Sequence, residues 1–327
     1  MEKISIIIPV YNSADSIRRC INSLLSQVFQ DFIIYAVDDC SSDNSFAILQ
    51  GFAEIDKRVK VYRLDKNAGP SAARNFALDI CTGEWICFID SDDYVDNLFF
   101  TELLKQENDA DIIIGSFRQV TDNGTVIREY SAEDKYKAFY PEEALRIAYG
   151  GKDDLDFVYN LCWNKIYRKQ LFDGVRFPVG RLQEDAYIMP SLIYNAKKPV
   201  LTARNAVYYY VNNPSSISHK GKVGISDLKR REDLVDLYET HIRLYMSYSN
   251  PLYKRSRANL LNNIISIYRL HYCQFYVSEK QIFSRLQKIF LKHYLKAISE
   301  HNTLLSAKLL STWLLFIISP KTYLKIF

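Results

Sequence analysis

Residues 85–93 read Trp85-Ile86-Cys87-Phe88-Ile89-Asp90-Ser91-Asp92-Asp93. The apolar start of this stretch predicts a short buried strand, and the acids follow where that strand ends, which is where open α/β sheets place their ligand sites. Carboxylates this close repel one another unless a cation lies between them. Hard oxygen ligands of this kind bind Mg²⁺ or Mn²⁺ together with substrate phosphates. The alternative is a helix N-terminus with aspartates in its first turn.

Strands and helices alternate through the first part of the chain. The predicted strands are Ile4–Val10, Phe32–Asp38, Val59–Leu64 and Glu84–Ile89, and the predicted helices are Ala14–Ser26 (capped by Ser13), Ser45–Ile55 and Ser71–Ile80. This alternation predicts an α/β fold with a Rossmann-like, mostly parallel sheet flanked by helices. Residues 112–117 and 206–211 are expected to extend the sheet. From Ile225 onward the pattern is helical and amphipathic, with breaks at Pro251 and Pro320, which predicts a C-terminal helical extension.

Length and composition fit a globular chain with one large and one smaller domain. The 327 residues are 48% hydrophobic and 24% charged, and the net charge of +4 is too small to argue for a nucleic-acid partner. Six cysteines without a CxxC pair indicate buried free thiols in a reducing compartment. The chain begins directly with a strand, and no apolar run reaches the length of a membrane span. We therefore expect a cytoplasmic protein.

Two further predicted strand ends open onto the same edge of the sheet as the acidic stretch. Pro9-Val10-Tyr11-Asn12 closes the first strand, and Val37-Asp38-Asp39-Cys40-Ser41-Ser42-Asp43 closes the second. The ring of Tyr11 is suited to stack on a nucleobase, and the carboxylate of Asp39 is suited to accept from its ring N–H. A packed tyrosine and an aspartate turn are the alternatives.

A third element, at residues 67–75, reads Asn67-Ala68-Gly69-Pro70-Ser71-Ala72-Ala73-Arg74-Asn75. It predicts a turn followed by a helix, with Ser71 as the N-cap and Arg74 in the first turn. A helix N-terminus and an arginine together favour an anion. The alternative is an arginine in a solvated first turn.

Together these elements resemble the inverting nucleotide-sugar glycosyltransferases of the large bacterial family 2, which have the GT-A fold. The resemblance rests on the order and spacing of the three motifs, with Asp-Ser-Asp-Asp at 90–93 matching the family's DxD motif. Residues 162–168, Cys-Trp-Asn-Lys-Ile-Tyr-Arg, and residues 209–218 resemble segments of capsule and O-antigen transferases. Residues 1–220 are covered, and the tail matches only loosely.

The resemblance implies a nucleotide-sugar site, in which the base is typically uracil. The residues that it assigns are Pro9, Tyr11, Asn12 and Asp39 around the base, Asn67 and Arg74 near the nucleotide, Asp90 and Ser91 at the ribose or the metal shell, and Asp92 as ligand of Mn²⁺ or Mg²⁺. A cation at the diphosphate offsets the charge that grows on the leaving group.

Inversion also requires a base that deprotonates an acceptor hydroxyl from the opposite side of the sugar. Arg181-Leu182-Gln183-Glu184-Asp185-Ala186 resembles the family's Glu-Asp motif, which implies Asp185 as the base and Glu184 as its neighbour. Adjacent acids raise each other's pKa, which suits a proton acceptor. The alternative is a helix N-terminus with favourable acids. The family often has Gly or Glu in place of Gln183.

Three residues are weaker candidates for the acceptor or the diphosphate. Trp163 is either a sugar-stacking platform or a core residue. Lys165 is expected either to meet a phosphate or to pair with an acid. His219 is placed in a closing loop, residues 214–224, where it would approach the diphosphate or the metal, and a structural or exposed histidine is the alternative.

The tail is basic, with 16 Lys/Arg against 7 Asp/Glu from Ile225 onward. Basic residues alternate there with Leu286, Ile289, Phe290 and His293. Residues 285–327 suit either an anionic membrane surface or packing against the catalytic domain or a second copy of the chain. We therefore expect a catalytic domain at 1–222, a basic amphipathic helical region at 223–327, and peripheral attachment to the inner face of the cell membrane.

The function implied is metal-dependent inverting transfer of a sugar from a nucleotide sugar, most often a UDP-sugar, to a saccharide or lipid-linked saccharide acceptor during bacterial surface polysaccharide synthesis. The alternatives are a nucleotidyltransferase and a catalytically inactive sugar-nucleotide-binding partner subunit. A Gly-rich phosphate loop, usual in nucleotidyltransferases, is missing after the first strand.

Overall fold

The structure is a computed structural model, and it describes residues 2–130, 138–150, 160–212, 225–246 and 250–300. The chain divides into two compact units, Met1–Pro214 and Ser215–Phe327, which are described separately. The predicted domain boundary at residues 222 and 223 lies outside the described residues and stays a prediction.

Unit 1 is built on one ten-stranded sheet with helices between its strands. The strands are β1 (Ile4–Val10), β2 (Phe32–Asp38), β3 (Val59–Arg63), β4 (Trp85–Phe88), β5 (Tyr94–Val95), β6 (Ile112–Val120), β7 (Val126–Tyr130), β8 (Ala138–Phe139), β9 (Lys165–Arg168) and β10 (Val200–Val211). The helices are α1 (Ile17–Leu25), α2 (Ser45–Ile55), α3 (Pro70–Ile80), α4 (Phe99–Leu104), α5 (Pro141–Gly150) and α6 (Glu184–Asn195).

The sheet runs β3-β2-β1-β4-β9-β6-β10-β5, with β7 paired to β6 and β8 to β10. Strands β3, β2, β1 and β4 are parallel, β9 is antiparallel to both of its neighbours, and β10 is parallel to β6. The predicted mostly parallel sheet flanked by helices is therefore confirmed. Because parallel strands end at the same edge, the residues after β1, β2 and β4 meet at one edge of the sheet.

The apolar core explains why these segments form strands. All seven residues of β1 are buried, as are all four of β4. Continuous rather than alternating burial is the pattern of parallel strands covered on both faces. At roughly 1.5–3 kcal/mol for each fully buried large apolar side chain, this packing holds the strand ends in place.

Two predicted helix caps are wrong. Helix α1 begins at Ile17 and follows Ser16, because residues 14–16 form a turn in which the Ser13 carbonyl accepts from the N–H groups of Ser16 and Ile17. Helix α3 begins at Pro70 after Gly69, whose φ of +86° is a conformation that glycine adopts readily and most other residues do not. Ser71 therefore lies inside the helix, where it is buried.

Unit 2 contains three helices among the described residues, α7 (Ile225–Met246), α8 (Asn250–Phe275) and α9 (Lys280–Ser299). Leu286, Phe290 and His293 of α9 are buried, and Arg285 pairs with Glu232 and Asp236 of α7. That face of α9 therefore packs within unit 2 and is not the membrane contact that the sequence suggested, whereas packing against the catalytic domain or a second copy of the chain stays a prediction. No helix among the described residues combines the length and the hydropathy that crossing a bilayer requires.

Candidate functional site

The loops after β1 and β2 are joined by Asn12. Its side-chain oxygen accepts from the Ser42 N–H at 2.8 Å, and its own N–H donates to the Ser41 hydroxyl at 3.0 Å. Asn12 has a φ of +47°, a region that asparagine tolerates better than most residues. This geometry leaves Tyr11 48% exposed at the sheet edge, while Pro9 stays inside β1 opposite Val37. The predicted stacking ring is thus accessible.

Asp39 is buried and supports the loop before α3. Its two carboxylate oxygens accept from the N–H groups of Ala68 and Gly69, at 2.8 and 2.7 Å. The same loop carries Asn67, which is exposed. Two of the predicted nucleotide residues are therefore brought together, with Asp39 fixing the backbone that presents Asn67.

The loop after β4 presents two acids and buries the third. The Asp90 side chain is 28% exposed, and Asp92, whose carbonyl accepts from Arg19, is half-buried. Ser91 bonds the Ser13 hydroxyl at 2.7 Å, so the β1 and β4 loops are fastened together.

Asp93 was not assigned to the site, and the structure buries it completely. One of its oxygens accepts from the Tyr208 hydroxyl at 2.6 Å and the other from the Val211 N–H at 2.8 Å. The Tyr208 hydroxyl also accepts from the Asp90 N–H at 3.2 Å. Burial and the charges of Asp92 and Asp90 raise the pKa of Asp93. Asp93 therefore fixes the acidic loop to β10.

No cluster of three or more His, Cys, Asp or Glu residues within the described chain is arranged to hold a metal. The residues present nevertheless fit a hard cation held partly by a substrate. Asp92 and Asp90 offer carboxylate oxygens at the sheet edge, and magnesium sites commonly take one or two carboxylates plus substrate phosphates. His219 lies outside the described residues, so its predicted role stays a prediction.

Arg74 is the centre of a buried ionic cluster. Its side chain is only 4% exposed, so the solvated arginine considered as the alternative is wrong. One terminal nitrogen donates to Asp90 at 2.9 Å and the other to Glu184 at 2.6 Å, with Asp185 at 3.7 Å. The guanidinium also lies over the Phe177 ring, 5.2 Å from its centroid. Arg74 thus joins the DxD loop to the first turn of α6.

Asp185 lies in the first turn of α6, which begins at Glu184 directly after Gln183, whose φ is +57°. One carboxylate oxygen accepts from the Cys162 N–H at 2.9 Å, and the other is buried without a hydrogen bond among the described residues. Burial raises the pKa of Asp185 to about 6, Arg74 opposes the rise, and Glu184 adds to it. A carboxylate with a raised pKa and an unused oxygen has the properties of a general base.

Trp163 and Lys165 are buried rather than facing an acceptor. Trp163 is 4% exposed, and its ring stacks with Tyr208 and Tyr210 at centroid distances of 4.7 and 5.5 Å. Lys165 is fully buried and donates to the Trp163 carbonyl and the Asn164 side chain. The sugar-stacking interpretation is therefore wrong for Trp163, and the phosphate interpretation is wrong for Lys165. In the sequence, the apolar neighbours Cys162 and Ile166 were the signal that these two residues are buried.

Comparison with known proteins identifies several relatives. The chain is 30% identical over 257 residues to glycosyltransferase GlyA of Streptococcus pneumoniae, a match that covers 77% of this chain and 36% of GlyA. It is 30% identical over 249 residues to GlyG of the same organism, covering 74% of this chain and 80% of GlyG. The chain therefore spans about a third of GlyA and most of GlyG.

A third relative is TarS of Staphylococcus aureus, named poly(ribitol-phosphate) beta-N-acetylglucosaminyltransferase. It is 28% identical over 279 residues, 79% of this chain and 46% of TarS. The crystal structure of TarS 1–349 in complex with UDP-GlcNAc matches 98% of this chain and 92% of that chain, with a TM-score of 0.67 and 21% identity. At this identity the match shows a shared GT-A fold.

The family model described as glycosyl transferase family 2 matches residues 5–176. This segment is more than half of the chain, and it holds the three strand-end motifs and Arg74. Together with the GT-A fold and the relatives at 30% identity, this match shows that the chain belongs to glycosyl transferase family 2.

Proposed function

We propose that the chain transfers a sugar, with inversion, from a nucleotide sugar to a saccharide acceptor. The observation that carries the proposal is the Arg74 cluster, in which one guanidinium contacts Asp90 on the donor side and Glu184 on the acceptor side. Inverting transfer needs a leaving-group site and a base held on opposite sides of one sugar. A single buried cluster that fixes both sets of residues meets that need.

On the donor side, the exposed ring of Tyr11 and the loop fixed by Asp39 would hold the base, and Asn67 would lie near the nucleotide. Asp92, with Asp90, would hold Mn²⁺ or Mg²⁺ against the diphosphate. When bound, such a cation supplies positive charge that stabilises the leaving nucleoside diphosphate. On the acceptor side, Asp185 would take the proton of the attacking hydroxyl.

The donor we propose is a UDP-hexose or a UDP-N-acetylhexosamine. The solved TarS complex with UDP-GlcNAc and the name of TarS support this donor class. The same relative supports an acceptor in surface polymer synthesis, and we propose a saccharide, carried on a lipid, at the inner face of the cell membrane.

A donor screen with Mn²⁺ tests this function. The enzyme is incubated with UDP-Glc, UDP-Gal, UDP-GlcNAc, UDP-GalNAc and GDP-mannose, and nucleotide release is followed with and without EDTA. We expect release from one UDP-sugar, lost with EDTA and reduced about 10²-fold or more in Asp92→Ala, because a carboxylate that helps neutralise the leaving group is gone.

Asp79→Ala is the matched control, since Asp79 is a surface acid paired only with Arg176 in the described chain, and it should keep wild-type release. Donor binding without release, unaffected by Asp92→Ala, would instead indicate an inactive binding subunit. Formation of a new nucleotide sugar from a sugar phosphate would indicate a nucleotidyltransferase.

We also propose membrane association through a different face of α9 from the one that the sequence indicated. Leu291, Leu295 and Ile298 are 42%, 56% and 43% exposed and lie on one side of the helix, with Lys292 and Lys296 beside them, 70% and 58% exposed. An apolar stripe edged by lysines suits anionic headgroups.

Flotation with vesicles that contain phosphatidylglycerol tests this association. The variant Leu291→Ser/Leu295→Ser/Ile298→Ser should lose most of the bound fraction, because the apolar contact with the bilayer is removed. A control with the same change at other exposed sites, Ile55→Ser/Val126→Ser/Ile127→Ser, should float as the wild type does. Equal flotation of both variants would exclude α9 as the contact.

A further inference from the structure

The backbone hydrogen bond to the Asp185 carboxylate comes from the Cys162 N–H, and the thiol of the same residue also bonds this carboxylate. A carboxylate rotates freely about its last bond unless hydrogen bonds fix it. The direction in which Asp185 presents its unused oxygen therefore depends on how firmly the Cys162 peptide is held.

The other backbone polar group of Cys162, its carbonyl, is held by Tyr167. The Tyr167 hydroxyl donates to the Cys162 carbonyl at 2.9 Å, and the residue is fully buried in β9. The ring packs edge-on against Phe88 and Phe172, at centroid distances of 6.0 and 5.6 Å. The hydroxyl is therefore fixed by the core of the sheet, and the backbone of a single residue, Cys162, connects it to the base.

Asn164 holds the same loop from the opposite end. Its side-chain nitrogen donates to the Gly115 carbonyl at 2.6 Å, and its own carbonyl accepts from the Gly115 N–H at 2.7 Å. Asn164 is fully buried with a φ of +56°, a left-handed conformation that asparagine tolerates better than most residues. A Cβ atom on Gly115 would lie 2.6 Å from the Ala206 carbonyl oxygen, so β6 and β10 leave this contact no freedom.

We propose that Tyr167 and Asn164 are positioning residues for the base: together they fix the backbone on the C-terminal side of Cys162, so that the N–H of Cys162 orients the Asp185 carboxylate toward the acceptor. This inference rests on the proposed role of Asp185. It also gives Trp163 a role, because the ring between Cys162 and Asn164 stacks on Tyr208, whose hydroxyl bonds the Asp90 N–H. The base loop and the donor loop are thereby packed against one another.

Tyr167→Phe removes one hydroxyl and keeps the ring. The first readout needs no substrate: hydrogen exchange of the Cys162 amide, which we expect to become about 10-fold faster because the carbonyl of the same residue is no longer held. Asn164→Gly, which keeps the left-handed backbone and removes the amide group, is expected to have the same effect. Tyr268→Phe is the control, since Tyr268 is a buried tyrosine that donates to the Phe283 carbonyl in unit 2.

The second readout is the pH profile of nucleotide release from the donor that the screen selects. A hydrogen bond to a carboxylate lowers its pKa. A loosened Cys162 N–H should therefore move the acid limb, the part of the profile where the rate rises with pH, upward by up to about one pH unit. We also expect kcat to fall about 10-fold, with little change in the donor KM. The charges that face Asp185 are Arg74 of α3, Glu184 of α6, Asp90 after β4 and Lys165 of β9, and all are unchanged in Tyr167→Phe.

A merely structural role for Tyr167 would lower the melting temperature and leave both readouts as in the wild type. If Asp185→Asn is inactive while Tyr167→Phe has wild-type exchange and a wild-type acid limb, the positioning role is wrong and the proposed function stands. If Asp185→Asn retains wild-type turnover, Asp185 is not the base, and the positioning role is rejected with it.

Discussion

Asp185→Asn is expected to lower kcat for sugar transfer about 10²- to 10⁴-fold, the range attributed to a positioned general base. Asparagine keeps the size of the side chain and can still accept from the Cys162 N–H, but it cannot take a proton. Donor affinity should therefore change little, because Asp185 lies on the acceptor side of Arg74. Calorimetric titration with the selected UDP-sugar, beside initial rates of nucleotide release, separates the two effects.

The pH dependence of kcat is a second test of Asp185 as the base. Burial raises the pKa of Asp185 to about 6, and only the unprotonated carboxylate accepts a proton from the acceptor. The kcat of the wild type should therefore rise as the pH increases through about 6 and level off above it. A wild-type profile with no limb in that region would contradict the assignment.

Stability should move in the opposite direction to activity. Folded Asp185 keeps its proton at pH values where the unfolded chain, with a pKa of about 3.9, has lost its own. The free energy of unfolding therefore falls as the pH rises from about 4 through about 6, and the penalty is fully present above that range. Asp185→Asn removes the penalty and should raise the free energy of unfolding near neutral pH by up to about 3 kcal/mol, measured as a higher urea midpoint.

The surface substitution Asp79→Asn makes the same chemical change at an exposed position and should alter neither kcat nor the unfolding midpoint measurably. A variant of Asp185 that is inactive and also less stable than the wild type would indicate a packing role instead of a proton acceptor.

The fold was predictable because its signals are local. Three elements have the predicted bounds: the strands Ile4–Val10 and Phe32–Asp38 and the helix Ser45–Ile55. Strand burial and helix periodicity depend on residues that are close together in the sequence, so a local pattern predicts them. The strand at 206–211 begins earlier, at Val200, because the chain crosses an irregularity between Ala203 and Val207 that interrupts the pattern. Such an irregularity depends on pairing with β6, which sequence alone does not reveal.

The candidate site was predictable in its members but not in their contacts. Arg74 was expected to favour an anion near the nucleotide, and the anions that it contacts in the described chain are carboxylates 16 and 110 residues away along the chain. No local pattern encodes a contact across such a separation. Trp163 shows the same limit, since a tryptophan in a cleft and one in the core have the same sequence signal, and only the stack on Tyr208 distinguishes them.

Arg74→Met is the second substitution for which we expect a large effect, on stability and activity together. It leaves the carboxylates of Asp90, Glu184 and Asp185 without their shared cation, and breaking a buried ion pair from one side costs about 3–5 kcal/mol. Arg74→Lys keeps the charge, but a compact ammonium does not reproduce a fork that reaches two carboxylates at once. Lysine should therefore recover part of the stability and less of the activity.

Arg74→Met should lower activity because it raises the pKa of the proposed base, Asp185. Arg74 opposes the rise in the pKa of Asp185, so its loss should move the acid limb upward, and raising the pH should restore part of kcat. Arg257→Met is the control, because Arg257 of unit 2 is a similarly buried arginine paired with Glu300; it should lower the unfolding midpoint without moving the limb. If Arg74 instead binds the nucleotide, near which the sequence placed it, Arg74→Met would raise the donor KM and leave the acid limb in place. The split between KM and the pH profile therefore decides whether this arginine serves the leaving group or the base.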